Sequence, residues 1–76
     1  MSTIKEHDRV VLTKDVPGEK LAAGDVGTVV HVHRDGTAFE VEFVALDGKT
    51  FALVTLEKKQ VRPVEHQELT HARRVA

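Results

Sequence analysis

The chain has 76 residues, 11 basic and 12 acidic, with 41% apolar residues and no cysteine. A length like this suits one domain, which buries only about 60% of what its unfolded chain exposes, so neither a disulfide, a thiolate metal site nor a roomy substrate pocket is expected. No stretch approaches the roughly 20 apolar residues of a membrane-spanning helix, and the start MSTIKEHD is polar with no apolar run behind it, so a soluble cytoplasmic protein is expected.

The charge is unevenly spread. Residues 1–57 carry six basic and ten acidic side chains, a net −4, while residues 58–76 carry five basic and two acidic, a net +3. The acidic bulk repels a phosphate backbone, and only the C-terminal end attracts one.

Residues 8–14, DRVVLTK, read as a first strand with Val10 and Leu12 on one face. DVPGEKLAAGD, residues 15–25, is loop chemistry, with Leu21 as its inward anchor. Residues 26–33 form a second strand. Asp35-Gly36 marks a hairpin, because a type I′ turn needs positive φ at both central positions. Residues 37–46 alternate as a third strand, and Asp47-Gly48 repeats the hairpin signal. Residues 49–56 make a fourth strand, LEKKQ a single helical turn, and VRPV, residues 61–64, a closing strand whose proline places it at a sheet edge. Residues 65–76 form a tail or a short helix, with Leu69, Ala72 and Val75 on one side.

The two turns set a register. A two-residue loop at Asp47-Gly48 puts Phe43 opposite Ala52, Val41 opposite Val54 and Phe39 opposite Leu56. A two-residue loop at Asp35-Gly36 puts Phe39 opposite Val32, Val41 opposite Val30 and Phe43 opposite Thr28. Both assign strand three the same inward face, although a bulged three-residue loop at Gly36 flips strand two. The outer face of strands two to four then carries Val29, Val44, Phe51 and Leu53 beside His31, His33, Glu40 and Glu42. A wet face of an antiparallel sheet does not need so many apolar groups. They imply an interface, or cover by the C-terminal segment.

His31 and His33, two apart on a strand, leave the same face. With Glu40 across the ladder they could offer two imidazoles and a carboxylate to zinc or another divalent ion. The plainer reading is a cross-strand pair on a solvated surface. His7, His66 and His71 lie nearer the termini, and nothing in the sequence places them in such a site. Lys58, Lys59 and Arg62 form a basic strip beside the closing strand. It is either a solvated turn or a contact for nucleic acid, although the chain lacks Trp and Tyr for base stacking. Gly27, at the opening of strand two, permits a bulge or a close backbone approach.

Together these elements describe an all-β, five-stranded, SH3-like barrel over residues 1–64. The series DRVVL, AGDVGTVV, FEVEF, VTL and VRPV resembles an uncharacterised bacterial family of short SH3-like proteins, a domain of unknown function, over about residues 4–64. That resemblance implies a fold and no reaction. GDVGTVV is also similar to the glycine-centred motif of KOW domains, barrels that bind RNA or protein, but the basic surface such RNA binders carry is lacking.

No catalytic constellation and no cofactor site is legible. The expected function is a non-enzymatic protein–protein interaction module, accessory, regulatory or antitoxin-like, that docks a protein partner or a second copy through Val29, His31, Glu40, Glu42, Val44, Phe51 and Leu53. The alternatives are nucleic-acid binding through Lys58, Lys59 and Arg62, and metal binding through His31, His33 and Glu40.

Overall fold

A computed structural model describes residues 3–75. It is all-β, as expected. Five strands, β1 (Arg9–Leu12), β2 (Val26–His33), β3 (Ala38–Val44), β4 (Thr50–Glu57) and β5 (Val61–Pro63), form one antiparallel sheet in the order β4-β3-β2-β1-β5. Buried residues from all five strands share one core: Val10 and Leu12 of β1, Val29 of β2, Phe39, Val41 and Phe43 of β3, Leu56 of β4 and Val61 of β5, with Leu21 inserted from the first loop. The sheet therefore curls around its own apolar side. β5 lies at an edge, where the missing N–H of Pro63 breaks no ladder.

The loops follow their turn chemistry. Pro17–Glu19 makes one 3-10 turn and a Val16–Leu21 bridge closes behind it, which seats Leu21. Asp35 (φ 55°, ψ 35°) and Gly36 (φ 92°) form the two centres of a type I′ reversal, and the Thr37 N–H donates to the Arg34 carbonyl at 3.2 Å. Lys58–Gln60 is the expected single turn. A capping box stabilises it, with the Glu57 side chain and the Gln60 side chain each accepting from the other's backbone N–H.

Two irregularities decide which residues face where. The β2–β3 ladder runs His33–Ala38, Val32–Phe39 and His31–Glu40, then slips, so that Val29 faces Val41 and Thr28 faces Glu42. Val30 is the extra residue. Beyond this bulge the strand is turned over relative to the expected register: Val29 is fully buried and Val30 is exposed. Val29, expected on the interaction face, is a core residue. The physical reason is visible in what the uninterrupted register would bury. It would force the Thr28 hydroxyl inward against Phe43, where an unpaired hydroxyl costs about 1–3 kcal/mol. The bulge turns Thr28 outward and brings Val29 and Gly27 in. It also adds twist, which helps the sheet curl.

The β3–β4 hairpin slips twice. The Gly48 N–H donates to the Ala45 carbonyl and the Ala45 N–H to the Lys49 carbonyl, both at 2.8 Å, so the loop has three residues, Leu46–Gly48, with Gly48 at φ 92°. Val44 therefore faces Thr50. A bulge at Phe51 then restores the expected pairs Phe43–Ala52, Val41–Val54 and Phe39–Leu56.

Candidate interaction face

The side of the sheet turned away from the core divides into two halves. On the β5-β1-β2 half, Val11 faces Val26 on one side and Arg62 on the other. Val11 is only 7% exposed although it is no part of the core cluster. Residues 65–75 form neither a helix nor a strand and run past this half as a strap, whose Leu69, Thr70 and His71 line an open groove together with Val11 and Val26. Planar guanidinium–carboxylate pairs pin the strap at both ends. Near its start, Arg62 Nη1 and Nη2 donate to Glu68 Oε1 and Oε2 at 2.9 and 2.7 Å, and the Glu65 N–H also donates to Glu68. Near its end, Arg73 Nε donates to Asp25 Oδ1 at 2.8 Å, and Nη2 donates to Asp25 Oδ2 and to the Lys20 carbonyl.

The clamps set the charges of their carboxylates. The Arg62 guanidinium, helped by the Glu65 N–H, pulls the Glu68 carboxyl down to about 2. Asp25 is likewise held below its usual value, chiefly by the Arg73 hydrogen bonds and also by the Ala22 N–H. A carboxylate depressed in the folded state stabilises it above the ordinary carboxylate range and loses that contribution as pH falls through the folded value. The strap is therefore expected to stay docked from neutral pH to about pH 5 and to release between there and about pH 2. The Val11 methyl resonances report this: they hold constant, then move in acid, whereas Arg73→Ala shows displaced resonances already at neutral pH.

On the β3–β4 half no segment is tied down in this way among the described residues. Val44 is 47%, Phe51 39% and Leu53 55% exposed. Val44 and Leu53 are on the outer face because their neighbours Phe43 and Ala52 point inward. Phe51 is the bulged residue and stands beside Val44 at the hairpin end. With Val44 it faces Thr70–Arg73 of the strap across an open groove. Val30, put outside by its bulge, is the apolar member that the expected register missed. Glu42, facing Leu53, accepts from the Thr50 hydroxyl at 2.7 Å.

His31 and His33 do leave the same face, with ring centroids 4.4 Å apart and planes at 68°. Their carboxylates differ. His33 Nε2 meets Glu40 Oε1 at 3.3 Å, while His31 Nδ1 lies 3.6 Å from Glu6. Among the described residues no three ligand-bearing side chains converge on one point. The basic strip is also partly neutralised: Arg62 is bound to Glu68, and Lys59 lies 3.7 Å from Glu57. Sequence reasoning missed the strap clamps, because Asp25 and Arg73 lie 48 positions apart. The signal it could have used is Val11, an apolar residue on the outward register of β1.

The family described as a domain of unknown function, DUF4926, matches residues 6–63. The chain belongs to this family. The match bears out the expected membership of an uncharacterised domain family, and it covers all five strands of the DUF4926 domain but not the strap. No curated protein and no solved structure matches the chain. No helix of the described residues is long and apolar enough to cross a membrane.

Proposed function

We propose that this DUF4926 domain is a protein–protein interaction module that docks through the outer half of β3 and β4. Val44, Phe51 and Leu53 supply the apolar centre, with Val30 beside them and His31, Glu40 and Glu42 as a polar rim. One observation carries the reading: Val44, Phe51 and Leu53 stand exposed together on the outer side of β3 and β4, while the strap is tied by its ion pairs to the β5-β1-β2 half. Burying apolar surface contributes about 25 cal/mol per Å², so clustered valine, leucine and phenylalanine are the groups an association would cover. A carboxylate rim suits a partner with basic residues around an apolar contact, and it disfavours a phosphate backbone.

The test is binding by purified domain and variants. A protein ligand held by wild type should be lost with Val44→Glu, and kept when Lys58 and Lys59 are both changed to alanine. Val44→Glu lies at an exposed position, so its fold should survive within about 0.5 kcal/mol. The opposite pattern overturns the reading: salt-sensitive binding to RNA or DNA that survives Val44→Glu and is lost with the lysines.

A further inference from the structure

The outer side of β5, β1 and β2 carries one row of side chains across the strands. Arg62 of β5 faces Val11 of β1, Val11 faces Val26 of β2, and Asp25 directly precedes Val26. The row therefore reads cation, apolar, apolar, anion. The strap crosses it with the opposite charges, Glu68 on Arg62 and Arg73 on Asp25, five positions apart. Neighbouring strands lie about 4.8 Å apart, so the row from β5 to β2 is about 10 Å long. Five residues of extended chain reach beyond that, so a segment needs no fold of its own to make both contacts.

Two features set the strap apart from the fixed sheet. Residues 65–75 are all exposed, and open grooves of about 590 and 370 Å³ flank the strap, one toward Phe51 and one toward Val64. Its hold thus rests on charge-assisted hydrogen bonds at two points rather than on buried apolar surface, and ion pairs hold modestly where water reaches them. Both anchors, Asp25 and Arg62, lie within the residues matched by DUF4926, while Glu68 and Arg73 lie beyond them.

We infer that this row is a recognition track for an extended segment of another protein, one that carries a carboxylate and, five positions on, a guanidinium. The strap holds the track in cis until such a segment replaces it. Charge complementarity selects the occupant. Arg62 takes a carboxylate with two parallel bonds, and Asp25 offers two oxygens to a planar guanidinium. A lysine in place of the guanidinium forfeits that forked pairing. The groove beside Phe51 leaves room for side chains larger than Ala72 between the two charges. The track lies on the other half of the face from β3 and β4 and does not rest on the docking proposed for them. A tethered strap competes at an effective concentration of about 1 mM. Docked about nine-tenths of the time, it corresponds to a Kd of about 100 µM for the same sequence when free, and it weakens a segment binding in trans about tenfold.

The test uses the full chain and, as probe, a fluorescein-labelled peptide with the sequence of residues 65–75, EHQELTHARRV. Glu68→Ala with Arg73→Ala frees the strap and leaves both anchors in place. Fluorescence anisotropy is expected to show this variant binding the peptide with a Kd of about 100 µM or tighter, and wild type binding it about tenfold more weakly. Arg73→Ala alone gives the same ranking with a smaller gap. Adding Asp25→Asn to the freed chain keeps an acceptor for the Ala22 N–H and is expected to weaken the peptide about fivefold or more. Saturating peptide returns the Val11 methyl resonances of the freed chain to their wild-type positions, which also shows that the chain is folded. Leu53→Glu, at a position that lines neither groove, leaves the peptide's affinity unchanged, so this inference and the docking through β3 and β4 fail separately. Equal binding by wild type and the freed chain overturns the inference. So does a freed chain that binds no peptide up to about 1 mM, or one indifferent to Asp25→Asn. A wild type that sediments as a dimer, and becomes monomeric with Arg73→Ala, gives the track to a second copy's strap and overturns its assignment to a different protein.

Discussion

Val29→Asp is expected to unfold the domain, while Val30→Asp one position later changes its stability by less than about 0.5 kcal/mol. Val29 has no exposed surface and packs among Val10, Phe39 and Val41 in a core without any buried polar side chain. A carboxylate there has no counter-charge and no donor, and the effective penalty for such a group is several kcal/mol. A domain this small holds only about 0.05–0.15 kcal/mol per residue, so that penalty removes most or all of its stability. Thermal unfolding followed by circular dichroism distinguishes the two variants. An unbulged β2 would give the reverse order, with Val30→Asp destructive and Val29→Asp mild.

Gly27→Ala is the second large effect. In the middle of a strand alanine normally improves on glycine by about 0.5–1 kcal/mol, because it restricts the unfolded chain. Here packing wins. A Cβ on Gly27 would stand 2.5 Å from Val41 Cγ1, 2.8 Å from Phe43 Cε2 and 3.0 Å from the Glu42 carbonyl oxygen. Val41 and Phe43 are themselves buried, and Glu42 contributes backbone, so none of the three can simply swing aside. Overpacking of this kind costs about 1–3 kcal/mol, which lowers Tm by roughly 4–8 °C per kcal/mol in a domain of this size. Gly18→Ala provides the comparison, since nothing lies within 4 Å of its Cβ position. It should leave Tm unchanged or raise it. Gly27→Ala combined with Phe43→Leu should recover part of the loss, because the shorter side chain withdraws the ring atom that clashes.

These two variants mark where sequence reading succeeded and where it stopped. The strands and the Asp35-Gly36 reversal were legible because alternation and positive φ each leave a direct trace in residue type. Leu21 as a loop anchor and Pro63 at an edge followed from chain chemistry in the same way. The bulge at Val30 left no such trace. In VGTVVHVH either valine of the central pair can face inward, and the choice depends on what Phe43 meets across the sheet, glycine or threonine. Gly27 was recognised as a place of close approach, but its partner ring was not. On the candidate face, Val44, Phe51 and Leu53 stand outside as expected. Val29 does not, because one inserted residue reverses every side chain before it. The strap was left open between a helix and a tail. Its course depends on Arg73 meeting Asp25, 48 positions away, and on Arg62 meeting Glu68 six positions on, and neither spacing belongs to a helix or strand period.

The β3–β4 hairpin shows how a register can be right although the loop that sets it is not. The Leu46–Gly48 reversal is one residue longer than the two-residue turn, and the extra residue at Phe51 cancels the offset. The parity of everything from Ala52 to Leu56 thus depends on two insertions together. Removing one residue from the reversal alone would send Val54 and Leu56 to the surface and bring Thr55 and Leu53 inward. Removing one at each place would leave the core intact. Among sequences built on this plan, length changes at these two points should therefore be inherited as a pair, and a chain that carries only one of them should have rebuilt its fourth strand.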